Sequence, residues 1–259
     1  MMDLKEISEA LNRYVRPQTD PVAIRMCETS EEFPAKVRLP KRDLGLSVTL
    51  CQGISMVRRY GWTLAIGKDD QSCPHGAVAV GFVSTEGYLD GSYAESVGLG
   101  PKEPFVRSVE ALSRLEYGKY SYMLAAPLDK AAFQPHLIVI YGNPAQVSRL
   151  VQGAVAKTGG VLTATAGGGV ACAGIISRTM LTDQCQYVLA GAGDRYFALT
   201  QDHELAFAMP MSKAESTISG LEIGQKSGHR YPTPSYLMFE GQLPPAYDKL
   251  LELLKGNSK

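Results

Sequence analysis

The chain has no excess of charge of either sign: 26 lysines and arginines balance 26 aspartates and glutamates. That balance offers no net attraction to phosphate backbones or anionic lipid, so neither nucleic acid nor a membrane is expected as a partner. A long apolar run is missing too. The first 17 residues, MMDLKEISEALNRYVRP, alternate charged with apolar positions and lack the core of a signal peptide or spanning helix, which predicts a cytoplasmic protein. There is no CxxC pair, no HExxH or other close histidine pair, no GxGxxG and no Walker lysine followed by Ser/Thr. These gaps remove the local chelate of the zinc hydrolases and the phosphate cradle of the common nucleotide folds. A disulfide framework is also unexpected, because Cys27, Cys51, Cys73, Cys172 and Cys185 are odd in number and widely spaced. Reduced thiols follow.

What is present is an ordinary supply of core. Hydrophobic residues make up 45% of 259, enough for a chain that buries roughly 70–75% of its unfolded surface. The patterning predicts a mixed α/β (α+β) fold in one compact domain. Leu4, Ile7, Leu11, Tyr14 and Val15 recur at helical spacing and stop at Pro17. Residues 21–26 read as a strand carrying Cys27 and 34–42 as a loop. Ser47 to Tyr60 reads as a helix capped by Ser47 and closed by Gly61, then Trp62 to Ile66 as a strand. Ser72-Cys73-Pro74 has the pattern of a helix start, with Ser72 as cap, and 106–115 is helical. His136 to Tyr141, a helix begun by Asn143-Pro144 and ended at Gly159-Gly160, and Val161 to Thr165 together predict a βαβ-like unit. Further on come a helical segment to about Thr179, a strand over 187–190, a turn at 191–194 and a strand over 204–209. Helices over 212–221 and 246–254, with a loop over 228–234 between them, complete the reading.

One short string occurs twice. Cys51-Gln52-Gly53-Ile54-Ser55 is echoed by Cys172-Ala173-Gly174-Ile175-Ile176-Ser177, and each is followed by a strand and a polar turn. Two interlocked, duplicated halves, about 17–130 and 131–240, with the terminal helices packed on them, are the architecture this suggests. Such an arrangement would turn both cysteine-bearing helices toward a shared cleft.

Cys73 and His75 are the candidate catalytic pair, because a thiol at a helix start is biased toward thiolate by the helix dipole and a neighbouring imidazole adds to that bias. Cys51, Cys73 and Cys172 are candidate ligands for a soft metal, whether zinc, an iron–sulfur cluster or haem iron. Gly167, Gly168 and Gly169 present backbone amides to a cofactor or anion, and Asp194 and Arg195 are candidates to position a ligand carboxylate. His136 opens an apolar strand and reads as structural, while His203 reads as a solvated turn residue. Core packing is an equally ready explanation for any one of these thiols.

Pro21-Val22-Ala23-Ile24, the helix around Cys51 ending in Arg58-Arg59-Tyr60-Gly61, Ser72-Cys73-Pro74 leading to Gly81, and Phe207-Ala208-Met209-Pro210 together resemble the archaeal and bacterial family filed as domain of unknown function 169. The resemblance spans residues from about 10 to 255. It implies proteins of anaerobic prokaryotes with cysteines near Cys51 and Cys73, a setting suited to oxygen-sensitive cofactors. The leading expectation is therefore a cysteine-dependent protein that binds a cofactor or metal or does redox chemistry. Its rivals are a cofactor-free binding protein or enzyme for a small anionic metabolite, and an accessory protein that hands a cofactor to a partner enzyme. Self-association into a homo-oligomer stays open.

Overall fold

Asp3 and Glu6 exchange backbone-to-carboxylate hydrogen bonds of 2.8 Å, and this reciprocal cap starts the first helix, α1 (Leu4–Tyr14). In the computed structural model, which describes residues 2–98, 100–167, 169–233 and 243–256, α1 is the first of several helices laid on the two faces of one sheet. The strands are β1 (Val22–Cys27), β2 (Leu64–Gly67), β3 (Tyr122–Pro127), β4 (Leu137–Gly142), β5 (Gln186–Leu189) and β6 (Leu205–Pro210). They lie in the order β2-β3-β1-β4-β6-β5, every neighbour antiparallel. The fold is thus mixed α/β.

Side chains alternate across the sheet. Ile24, Ile66, Met123, Val139 and Val188 point to one face, where α2 (Leu50–Tyr60) buries Leu50, Ile54 and Val57. Ala23, Ile138, Ile140, Phe207 and Met209 point to the other, against α1, α6 (Pro144–Val155) and α9 (Met211–Lys226). Because both faces are covered, the inner strands read as unbroken apolar runs such as Leu137-Ile138-Val139-Ile140. The first face also carries α3 (Pro74–Ala79), α8 (Ala192–Ala198) and a wide helical turn, Ala173–Arg178, that runs into α7 (Thr179–Thr182). Above it stands an excursion with α4 (Ser92–Val97) and α5 (Lys102–Glu110), packed by a small cluster of its own around Val78, Tyr88 and Val109. The last helix, α10 (Pro245–Gly256), exposes Leu250, Leu251 and Leu253.

The pairing register has internal two-fold symmetry. From either edge inward the order is β2-β3-β1 and β5-β6-β4. At the centre Val22 faces Val139, Ala23 faces Ile138 and Ile24 faces Leu137, so an axis passes through the Ala23–Ile138 pair. Met123 stands between Met26 of β1 and Ile66 of β2, as Ala206 stands between Tyr141 of β4 and Val188 of β5. The match continues into the turns after Pro127 and Pro210: the Leu128 N–H donates to Pro21 O at 2.8 Å and the Met211 N–H to His136 O at 2.9 Å. The hydroxyl of Ser55 in α2 donates to the carbonyl of Ala198, the last residue of α8, at 2.6 Å. The hydroxyl of Ser177 donates to Ala79, the last residue of α3, at 2.7 Å. Each half thereby ties down a helix of the other.

A buried ion pair also crosses the seam. Arg58 at the end of α2 holds Glu204 in two-pronged fashion at 2.6 and 3.0 Å, and its guanidinium lies 4.1 Å from the centre of the Tyr141 ring. Arg58 also lies in the last turn of α2, where its charge complements the helix dipole.

The predicted βαβ unit does not form. β4 already has β1 on one side and β6 on the other, so no parallel strand can join it, and residues 161–165 run without strand pairing with Val161 fully in solvent. Gly191 to Asp194 is not a free turn but the start of α8. The cap of α2 is Thr49 rather than Ser47, and the cap position of α3 is Cys73 itself. Of the predicted loop over 228–234, residue 234 lies outside the described residues. No helix among the described residues is long and apolar enough to cross a membrane.

Candidate functional site

Four helix starts meet where the two halves abut. In α2 the Thr49 hydroxyl accepts the Gln52 N–H at 3.0 Å, which fixes the first turn and leaves Cys51 Sγ 3.0 Å from the same hydroxyl. Gly53 allows this helix to lie tightly on β2: a Cβ there would stand 2.1 Å from Ile66 Cδ1. Gly174 plays the same part in the other half, where a Cβ would come within 3.0 Å of Val188. Cys172 precedes that turn, and a Cβ on Gly76 of α3 would lie 3.6 Å from its Sγ. In α8 the Asp194 carboxylate accepts the Gly191 N–H at 3.2 Å and is buried.

These starts enclose a cavity of about 370 Å³. Cys51, Cys73, Cys172, His75, Gly167, Gly169 and Asp194 all line it. Its remaining wall comes from Tyr88 and from α5 and the residues just after it, through Phe105, Val109 and Leu112. The segment through Gly167 and Gly169 is wedged in place, because a Cβ on Gly167 would be 3.0 Å from Leu112 and one on Gly191 would be 2.8 Å from Gly169 O. His75 Nδ1 is hydrogen-bonded to the Tyr88 hydroxyl at 2.7 Å, and Tyr88 meets Phe105 edge to face at 5.8 Å.

The electrostatics of the cavity favour neutral groups. Burial pushes the Cys51 thiol up to about 12, and the nearby Asp194 and Cys73 add to the rise. Cys172 is raised as well, first by burial and then by Cys51, Asp194 and Cys73. Burial also raises Asp194 above the usual carboxylate range against the opposing Gly191 hydrogen bond, and it holds His75 toward its neutral form. At neutral pH Cys51 and Cys172 are therefore thiols, and any ligand that wants a thiolate from them must displace a proton.

The other predicted residues lie elsewhere. Arg195 turns outward to Asp202 at 3.0 Å and Gln201 O at 3.2 Å, and among the described residues no arginine or lysine lines the cavity. Gly168 lies outside the described residues. Cys27 and Cys185 are buried in separate clusters on the opposite face of the sheet. His136 Nδ1 accepts the Met26 N–H at 3.2 Å as a structural group, and His203 is exposed. Among the described residues no three His, Cys, Asp or Glu side chains are gathered closely enough to hold a metal ion. Sequence reasoning missed the aromatic wall, Tyr88 and Phe105, because its only local signal is a tyrosine in a glycine-rich stretch and a short amphipathic pattern.

The family model for DUF169, described as an uncharacterised ArCR family, matches residues 10–220. That span holds all six strands and every cavity residue and ends within α9, short of the last helix. No curated protein and no solved structure matches the chain. With four-fifths of its length matched, including the whole sheet and the cavity on its seam, this chain belongs to the DUF169 family.

Proposed function

We propose that this protein binds a compact, largely apolar cofactor or metabolite in the seam cavity, with the thiols of Cys51, Cys73 and Cys172 in reach of it. The observation that carries this reading is that three cysteines spread over 122 positions, with His75 and Asp194, share one wall. A volume of about 370 Å³ suits a small organic molecule, and such sites are mostly apolar with a few placed polar groups. Its place between two halves of matching register accords with the halves being divergent copies, each supplying one cysteine at equivalent helix starts.

Redox or metal chemistry at the same thiols is the second reading. It is favoured by their placement, since Cys51, Cys73 and Cys172 all line the same cavity. A soft metal or an iron–sulfur cluster would draw on these sulfurs and would require the side chains to converge and lose their protons.

The test is to purify the protein without oxygen and record its absorption spectrum, metal content and native mass. A non-covalent organic adduct, retained in Cys73→Ser and lost in Leu112→Trp, which fills the cavity, is the expected result. A chromophore or stoichiometric metal that disappears with Cys51→Ser or Cys73→Ser would instead establish the second reading. Identical behaviour of Leu112→Trp and the parent in every measurement would remove both.

A further inference from the structure

Asp194 is a carboxyl taken out of water with no cation of its own. It faces a cavity that, among the described residues, no lysine or arginine lines. The two guanidiniums near it are engaged elsewhere, Arg58 with Glu204 at 2.6 Å and Arg195 with Asp202 at 3.0 Å. Among the described residues its carboxyl takes one hydrogen bond from outside its own residue, from the Gly191 N–H at 3.2 Å. A buried carboxylate without a counter-charge is costly, and the usual resolutions are protonation or a partner cation. Burial has indeed moved this group toward the protonated form.

The rest of the wall suits such a partner. Phe105, Val109 and Leu112 offer apolar surface, and the rings of Tyr88 and Phe105 attract positive charge through their π-electrons. An anion would meet no positive side chain. A metal ion would need a ready group of donors, and none exists among the described residues. Resting on the reading that the cavity binds a small molecule, we infer that its ligand is a compact organic cation, an amine or alkylammonium whose charge is set against Asp194 and whose carbon skeleton fills the apolar side. This departs from the anionic metabolite that the glycine-rich segment and Arg195 suggest from sequence, because Arg195 points away.

Three probes of one shape decide it: n-butylammonium, n-butanol and butyrate, each titrated into the full chain at fixed ionic strength while the unfolding temperature is followed. The ammonium is expected to bind at least about tenfold more tightly than either relative, the size of step that one well-placed charge supplies. Asp194→Asn keeps an oxygen to cap α8 and should erase that preference while leaving the weaker binding of butanol. Phe105→Leu, which leaves the carboxyl in place, should reduce the preference by a smaller factor. Equal binding of butanol or butyrate, or an ammonium preference that survives Asp194→Asn, overturns the inference and leaves the cavity reading standing. If none of the three probes shifts the unfolding temperature of the parent more than that of Leu112→Trp, both the inference and the cavity reading fall.

Discussion

In the first half of the molecule the outer strand is finished: Arg38 joins the free edge of β2 through hydrogen bonds with Thr63 and Ala65, and Phe33, Val37 and Leu39 cover the face beneath. In the second half β5 is paired with β6 alone among the described residues, and Tyr187 and Leu189 on the matching face are exposed. The first half also sends out the α4–α5 excursion that walls the cavity, and the second has nothing like it between β5 and β6. What the halves share is strand register, the glycine contacts behind each edge strand and the exchanged serine bonds. What differs is confined to the connections. The scaffold is therefore matched in pairing geometry while the chemistry of the seam is lopsided, with His75 on one helix and Asp194 on the other.

The largest effect is expected where the halves are joined by charge. Glu204→Ala leaves Arg58 buried without its counter-charge and should cost about 3–5 kcal/mol in urea unfolding, as breaking a buried pair does. The half-exposed pair of Arg25 with Glu32, which lies within the first half, should cost no more than about 1 kcal/mol when Glu32 is removed. Similar losses for the two would show that the seam is not held by this pair.

The glycine contacts come next. Gly53→Ala forces a Cβ to within 2.1 Å of Ile66 Cδ1, whereas Gly174→Ala approaches Val188 only to 3.0 Å. Overpacking costs about 1–3 kcal/mol, so the first substitution should fall at the upper end and the second at or below the lower end. A reversed order in denaturant midpoints would break the equivalence of the two contacts.

The exchanged serines come after them. Ser55→Ala strands the buried carbonyl of Ala198, at about 1–2 kcal/mol, whereas Ser177→Ala leaves the Ala79 carbonyl its bond from the Leu115 N–H at 2.9 Å and should cost about 0.5–1 kcal/mol; an equal or greater loss for Ser177→Ala in measured unfolding free energy would argue against this difference between the tethers.

The smallest effects, and the most diagnostic in sign, come from pH. Asp194 is raised, so its contribution is complete below the ordinary carboxylate range and is lost as pH climbs through its folded value. For Glu204, burial pushes upward but the bonds from Arg58 and Gln201 outweigh it and the net direction is down. Its contribution is present above the ordinary range and is lost as pH falls through the lowered value. Comparing stability between pH 3 and 6 for Asp194→Asn and Glu204→Gln should yield slopes that change in opposite directions relative to the parent; parallel changes would mean that one environment has been misread.

Much of the scaffold was legible in the sequence, and the reason is local chemistry. The α1 pattern stopped near Pro17, Gly61 closed α2 in the left-handed conformation, Asn143-Pro144 opened α6, and the strand ending at Pro210 gave way to α9. Each signal lies within a few residues of the feature it encodes. The errors lie where the outcome depends on distant partners. Val161 to Thr165 has strand-like residues but meets a sheet whose inner positions are taken. Arg58 looks like a helix-end cation until Glu204, 146 positions later, is brought beside it. Of the cavity, the helices bearing Cys51, Cys73 and Cys172 were readable in outline, but their caps were not: Thr49 rather than Ser47 caps α2, and Cys73 itself takes the cap position of α3. The aromatic wall and the outward turn of Arg195 were not, because they depend on how an excursion folds over and which way a short helix rotates.

The hydroxyls of Ser55 and Ser177 run in opposite senses across the seam, and this makes the two halves act on each other like crossed levers. A tilt of α8 pulls on the helix behind β2, and a tilt of α3 pulls on the turn behind β5. The helices that carry Asp194 and His75 are thus bonded to the elements lying behind both outer strands of the sheet.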